Sequence, residues 1–70
     1  MQYNFTFYVD DDIIVDDVYE FDNDFEAAKV ISNVAFEVYI KHFNLDICDL
    51  VHYTLFNINE NEHVISAFDR

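Results

Sequence analysis

Between residues 10 and 26 the chain carries nine carboxylates and no base: Asp10, Asp11, Asp12, Asp16, Asp17, Glu20, Asp22, Asp24 and Glu26. Ionised carboxylates accept hydrogen bonds only; they can ligate a hard cation, or work as an acid/base pair when one is raised in pKa. Calcium loops of the EF-hand kind need oxygen ligands at alternate positions and a glycine at the sharp turn. Here Ile13, Ile14 and Val15 interrupt the run and the chain has no glycine, so no such loop is expected. General acid catalysis needs a carboxyl raised by burial, and a crowded polar run is a poor place for one. What remains is a negative field that steers a basic protein partner and repels nucleic acid. Residues two apart along a strand stand about 6.6–6.8 Å from each other on one face. Carboxylates so spaced would offer Arg and Lys acceptors placed like successive backbone phosphates. Tyr8, just before the run, and Tyr19, within it, suit interface contacts.

The other chemistry-bearing side chains form no motif. His42, Cys48 and His52 are one ligand short of a structural zinc set and lack its close pairing. Cys48 has no local signature of an activated nucleophile. Phosphate-cradling loops need glycines. The sequence therefore predicts no metal, no cofactor and no enzymatic activity.

Composition narrows the class further. Fifteen Asp and Glu stand against three Lys and Arg, a net charge of -12 on 70 residues. Solubility alone is served by a magnitude of roughly 2–8 for a small domain, and the excess costs stability through self-repulsion. Direct binding of nucleic acid is disfavoured; a basic protein is the physical complement. With 53% apolar and 19% aromatic residues the chain is too hydrophobic for an acidic disordered tail, and its eight Phe and five Tyr supply a core in a short chain. The length predicts one acidic domain over residues 1–70. A disulfide cannot form, since Cys48 is the only cysteine, and a lone thiol fits a reducing compartment. No leader or membrane-spanning stretch is visible. The chain thus reads as a complete small cytoplasmic gene product that avoids membranes.

Tyr3, Phe5, Phe7 and Val9 alternate with Gln2, Asn4, Thr6 and Tyr8, the pattern of a half-buried strand. Asp10–Asp12 reads as a turn; without Gly or Pro, turns must fall to Asp and Asn, which tolerate left-handed conformations. A second strand follows from Ile13 to Phe21, with Ile13, Val15, Tyr19 and Phe21 on one parity. Asp17 shares that parity, so a bulge near Asp16–Asp17 is expected to turn both carboxylates to water. Asn23 and Glu26 have capping-box spacing before a helix running to Phe43, with Asn44 as its stop. Leu50–Ile58 and His63–Phe68 complete the strands. The order predicts an α+β fold, ββαββ, an antiparallel four-stranded sheet with one helix across a face.

On that helix Ala27, Ala28, Ile31, Val34, Ala35 and Val38 share one face, and three alanines would let it lie close on the sheet. Phe25, Phe36, Ile40 and Phe43 fall on another sector, where a surface helix should be polar. Either a curled sheet or the C-terminal segment covers them, or they mark a homodimer or partner contact.

A short acidic chain, rich in aromatics and poor in bases, with no catalytic signature, resembles the small proteins by which phages and mobile elements block host defence. These include anti-CRISPR and anti-restriction DNA mimics and inhibitors of uracil-DNA glycosylase. The resemblance is one of general character and carries no aligned residues. It implies an inhibitor, most specifically an anti-CRISPR, that occupies the basic nucleic-acid groove of a defence or repair nuclease complex. The competing expectation is a homodimeric structural or adaptor protein assembled through the aromatic helix stripe.

Overall fold

The structure, a computed structural model, describes residues 1–42 and 51–66. Phe43, Asn44, Cys48, Leu50 and Phe68, used in the sequence reading, lie outside the described residues. In chain order the elements are β1 (Gln2–Val9), β2 (Asp12–Glu20), α1 (Asp24–His42), β3 (Val51–Asn57) and β4 (Glu62–Ser66). The strands form one antiparallel sheet in the order β2-β1-β3-β4. The fold is α+β, with the helix between β2 and β3 in sequence. No helix among the described residues is long and apolar enough to cross a membrane.

The alternation in β1 decides which face is covered. Tyr3, Phe5 and Phe7 are buried, as are Leu55 of β3 and Ala27, Ile31 and Ala35 of the helix. The helix residues recur every four positions and so form one stripe. Ala27 and Ala35 leave no long side chain between helix axis and sheet, which lets the Phe and Tyr rings fill the layer. Phe5 sits edge-on to Tyr19 and Tyr53 at centroid distances of 6.2 and 5.9 Å, a favourable geometry for ring quadrupoles.

Turn chemistry follows from the missing glycines. Val9 pairs with Asp12, so the β1–β2 hairpin closes over Asp10 and Asp11, with Asp10 at φ 56°. The loop between β3 and β4 contains Asn61 at φ 57°. Asp and Asn are the non-glycine residues that enter this left-handed region most readily. At the start of α1, the Asn23 side-chain oxygen accepts from the Glu26 amide at 2.8 Å, satisfying a helix donor that has no partner inside the helix.

Register corrects two expectations about β2. Phe7 pairs with Val15 and Tyr8 with Ile13, so the extra residue is Ile14. The bulge therefore lies at Ile14, not at Asp16–Asp17. Residues opposite each other in an antiparallel pair share a face, so Ile13 joins Tyr8 on the face away from the helix while Val15 stays with Phe7 on the covered face. Parity alone put Ile13 and Val15 together; the bulge separates them.

Candidate functional site

The acidic segment builds one edge of the sheet. β2 is outermost beside β1, and all nine carboxylates from Asp10 to Glu26 are exposed. Asp10 and Asp11 form the hairpin tip. Asp16 and Glu20 pair with Thr6 and Gln2 on the face away from the helix, and Asp12 and Asp17 pair with Val9 and Phe5 on the helix side. Asp17 thus needs no bulge to reach water, because an edge strand is open along its side. Asp22, Asp24 and Glu26 lie at the far end, in the β2–α1 connection and the first turn of α1.

The strand is a sparse row of charge. No two carboxylates of β2 are two residues apart, so the phosphate-like ladder expected from the sequence is not formed along it. Its eight steps span about 26 Å and hold Asp12, Asp16, Asp17 and Glu20, one charge per ~7 Å, against about 1.7 Å for a nucleic-acid duplex. Between the carboxylates stand exposed apolar side chains, Ile13, Ile14 and Val18, the last at 59% exposure. The surface is acidic and greasy by turns.

Asp16 is the most ordered of the strand carboxylates. Its Oδ1 accepts from Asn4 Nδ2 at 2.8 Å, and the same amide group donates to the Asp17 carbonyl at 3.2 Å. Asn4 thereby holds both the side chain and the local backbone, so the acceptor is oriented before any partner arrives.

Tyr8 and Tyr19 do not converge. Tyr8 stacks on His52 at 4.5 Å and 10°, on the face away from the helix. Tyr19 pairs with Tyr3 on the opposite face and stacks on Phe21 at 6.0 Å. Tyr8 flanks Asp16 and Ile13; Tyr19 belongs to the rim of the core.

Asp24 has an internal role. Its Oδ1 accepts from the Tyr3 hydroxyl and from Asn57 Nδ2, both at 2.8 Å. Asn57 is 0% exposed, and its own Oδ1 accepts from the Glu60 amide at 2.9 Å. The Asp24 carboxylate therefore ties the helix start to β1 and the end of β3, and Asn57 in turn holds the β3–β4 loop. Burial foremost, then the hydrogen bond to Asp24 and the charges of Asp24 and Glu60, push the Tyr3 phenol up to about 12. Sequence reasoning missed Asn57. The signal was an amide at an inward strand position two residues from Leu55, where a buried polar group demands partners.

Among the described residues no group of three or more His, Cys, Asp or Glu side chains could hold a metal ion. The helix stripe is uncovered: Phe25, Phe36 and Ile40 are 77, 61 and 57% exposed, so within the described residues neither a curled sheet nor the chain itself shields them.

No family model, no curated protein and no solved structure matches the chain.

Proposed function

We propose that this protein is a non-enzymatic inhibitor that acts in the cytoplasm by docking its acidic edge on the basic nucleic-acid-binding surface of a defence or repair nuclease complex, and specifically as an anti-CRISPR that blocks target DNA. The observation that carries the reading is the segregation of charge. From the hairpin tip through β2 to the first turn of α1 every charged side chain is acidic and exposed. Such a surface raises the encounter rate with a basic groove and disfavours acidic competitors.

The spacing of the strand carboxylates fits a contact with a few phosphate-binding Arg and Lys side chains, not with a full duplex turn. Ile13, Ile14 and Val18 complete it by packing on the aliphatic stems of those side chains. Asp16, held by Asn4, is the acceptor placed to receive an Arg fork. Asp24 is committed to Tyr3 and Asn57 and contributes to the field more than to the contact.

The test is charge reversal at two exposed positions. With Asp16→Lys plus Asp17→Lys, inhibition of the target complex should weaken at least about tenfold and its salt dependence should flatten. Unchanged inhibition with a folded variant would remove the acidic edge as the binding surface.

A further inference from the structure

We propose that the outward face of α1 is a self-complementary interface on which a second copy of this chain docks, with the two helices antiparallel about a twofold axis near Asn33. Phe25, Phe36 and Ile40 lie within about 60° of one another at 100° per residue, on the side of the helix opposite the buried Ala27, Ile31 and Ala35. Lys29 falls within the same sector. Three large apolar side chains in line on a charged protein call for a cover, and the charges around them choose which.

The only two lysines of the chain, Lys29 and Lys41, both stand on this helix. The helix also carries Asp24, Glu26 and Glu37, so two bases stand against three acids, a net charge of -1, while the whole chain is at -12. Asp24 is turned to Tyr3 and Asn57, so a second copy approaching the outward side of α1 meets Lys29 and Lys41 beside Glu26 and Glu37, far less negative charge than along β2, where every charge is acidic. A strongly basic partner gains nothing here that β2 does not offer better.

The order of the charges sets the direction. Read along the helix, Glu26, Lys29, Asn33, Glu37 and Lys41 run minus, plus, neutral, minus, plus, at steps of three or four residues that keep neighbours adjacent on the surface. Reversing the order about Asn33 exchanges every sign. In an antiparallel pair Lys29 meets Glu37 of the second copy and Glu26 meets its Lys41, each contact occurring twice, as a twofold interface requires. A parallel pair would set like against like at every position. In the same antiparallel register Phe25 packs beside Ile40 of the second copy, and Phe36 lies over the stem and ammonium of its Lys29, a cation–π arrangement. All the residues in this scheme are exposed, so none is withdrawn from the core.

The apolar area is small. Three exposed side chains on each copy remove several hundred Å² per partner at the usual area of a large side chain, at the low end for specific complexes. Association is therefore concentration-dependent. It leaves the β2 edge outside the contact, so it is independent of the inhibitory reading above.

Sedimentation equilibrium of the full chain across roughly 10 μM to 1 mM, a range suited to an interface this small, should show reversible dimerisation. Lys29→Glu and Glu37→Lys, both at exposed positions, should each weaken self-association about tenfold or more while leaving the circular dichroism spectrum unchanged. Mixing the two variants should restore dimer, because one then carries acids at both contact positions and the other carries bases. A wild type that stays monomeric to the top of the range overturns the proposal. So does a dimer that the single substitutions leave intact, or a mixture that associates no better than its components, since either places the contact elsewhere.

Discussion

Replacing Asn57 by Ala should cost this domain a large part of its stability, although the side chain touches no solvent and no proposed partner. Its amide donates to the Asp24 carboxylate and its carbonyl accepts from the Glu60 amide. A hydrogen bond to a charged group is worth about 1.5–3 kcal/mol and a neutral one about 0.5–1.5. Asp24 lies at the surface, so the charged bond belongs at the low end of its range. The two losses together come to about 2–3 kcal/mol. For 70 residues a typical total stability is about 4–10 kcal/mol, and the loss should lower Tm by about 10–20 °C. Urea unfolding followed by far-UV circular dichroism should show a lower midpoint with the m-value unchanged. Asn57→Asp separates the cause from packing: it nearly preserves shape but sets a second carboxylate against Asp24, so its deficit should be larger at pH 7 than in acid. A loss below about 0.5 kcal/mol for Asn57→Ala would refute the assignment of Asn57 and Asp24 as the tie between helix and sheet.

Further outcomes follow from the same geometry. Tyr3 titrates near 10 when unfolded and at about 12 when folded; in that window the native state keeps a proton that the unfolded chain has lost, so stability falls as pH rises from about 10 to 12 and is unaffected by this group below 10. Urea midpoints across that window should decline, and Tyr3→Phe should decline less steeply. Asn23→Ala removes the acceptor for the Glu26 amide and should cost about 1 kcal/mol in the same unfolding assay. Asp24→Asn should lower stability with little effect on partner affinity, whereas Asp16→Lys plus Asp17→Lys should do the reverse; affinity by calorimetry beside thermal unfolding distinguishes them.

The sequence displayed what depends on near neighbours. Alternation from Gln2 to Val9 marked the strand, Asp10–Asp12 marked the turn in place of glycine, although Asp12 already pairs with Val9 as the first residue of β2, and Asn23 marked the helix start, because each is a local matter of sterics or hydrogen bonding. The bulge was misplaced because its position depends on how β2 pairs with β1: Phe7 meets Val15 while Tyr8 meets Ile13, and nothing within β2 announces that offset. The openness of the acidic strand follows from its place at the sheet edge, which is a matter of strand order. The same holds for Asp24. Asp22 and Glu26 stand two residues to either side of it, but its partners are Tyr3 and Asn57, brought to it by the sheet and helix together. The aromatic helix stripe was visible as a pattern, whereas its exposure needed the fold.

The most direct test of the central claim is a pull-down from host-cell lysate with this protein as bait, eluted by a salt gradient and challenged with DNA. The account predicts recovery of a nucleic-acid enzyme or effector complex that elutes at moderate salt, is displaced by competing DNA, and is lost with Asp16→Lys plus Asp17→Lys. A specific partner indifferent to salt, to DNA and to those substitutions would contradict it.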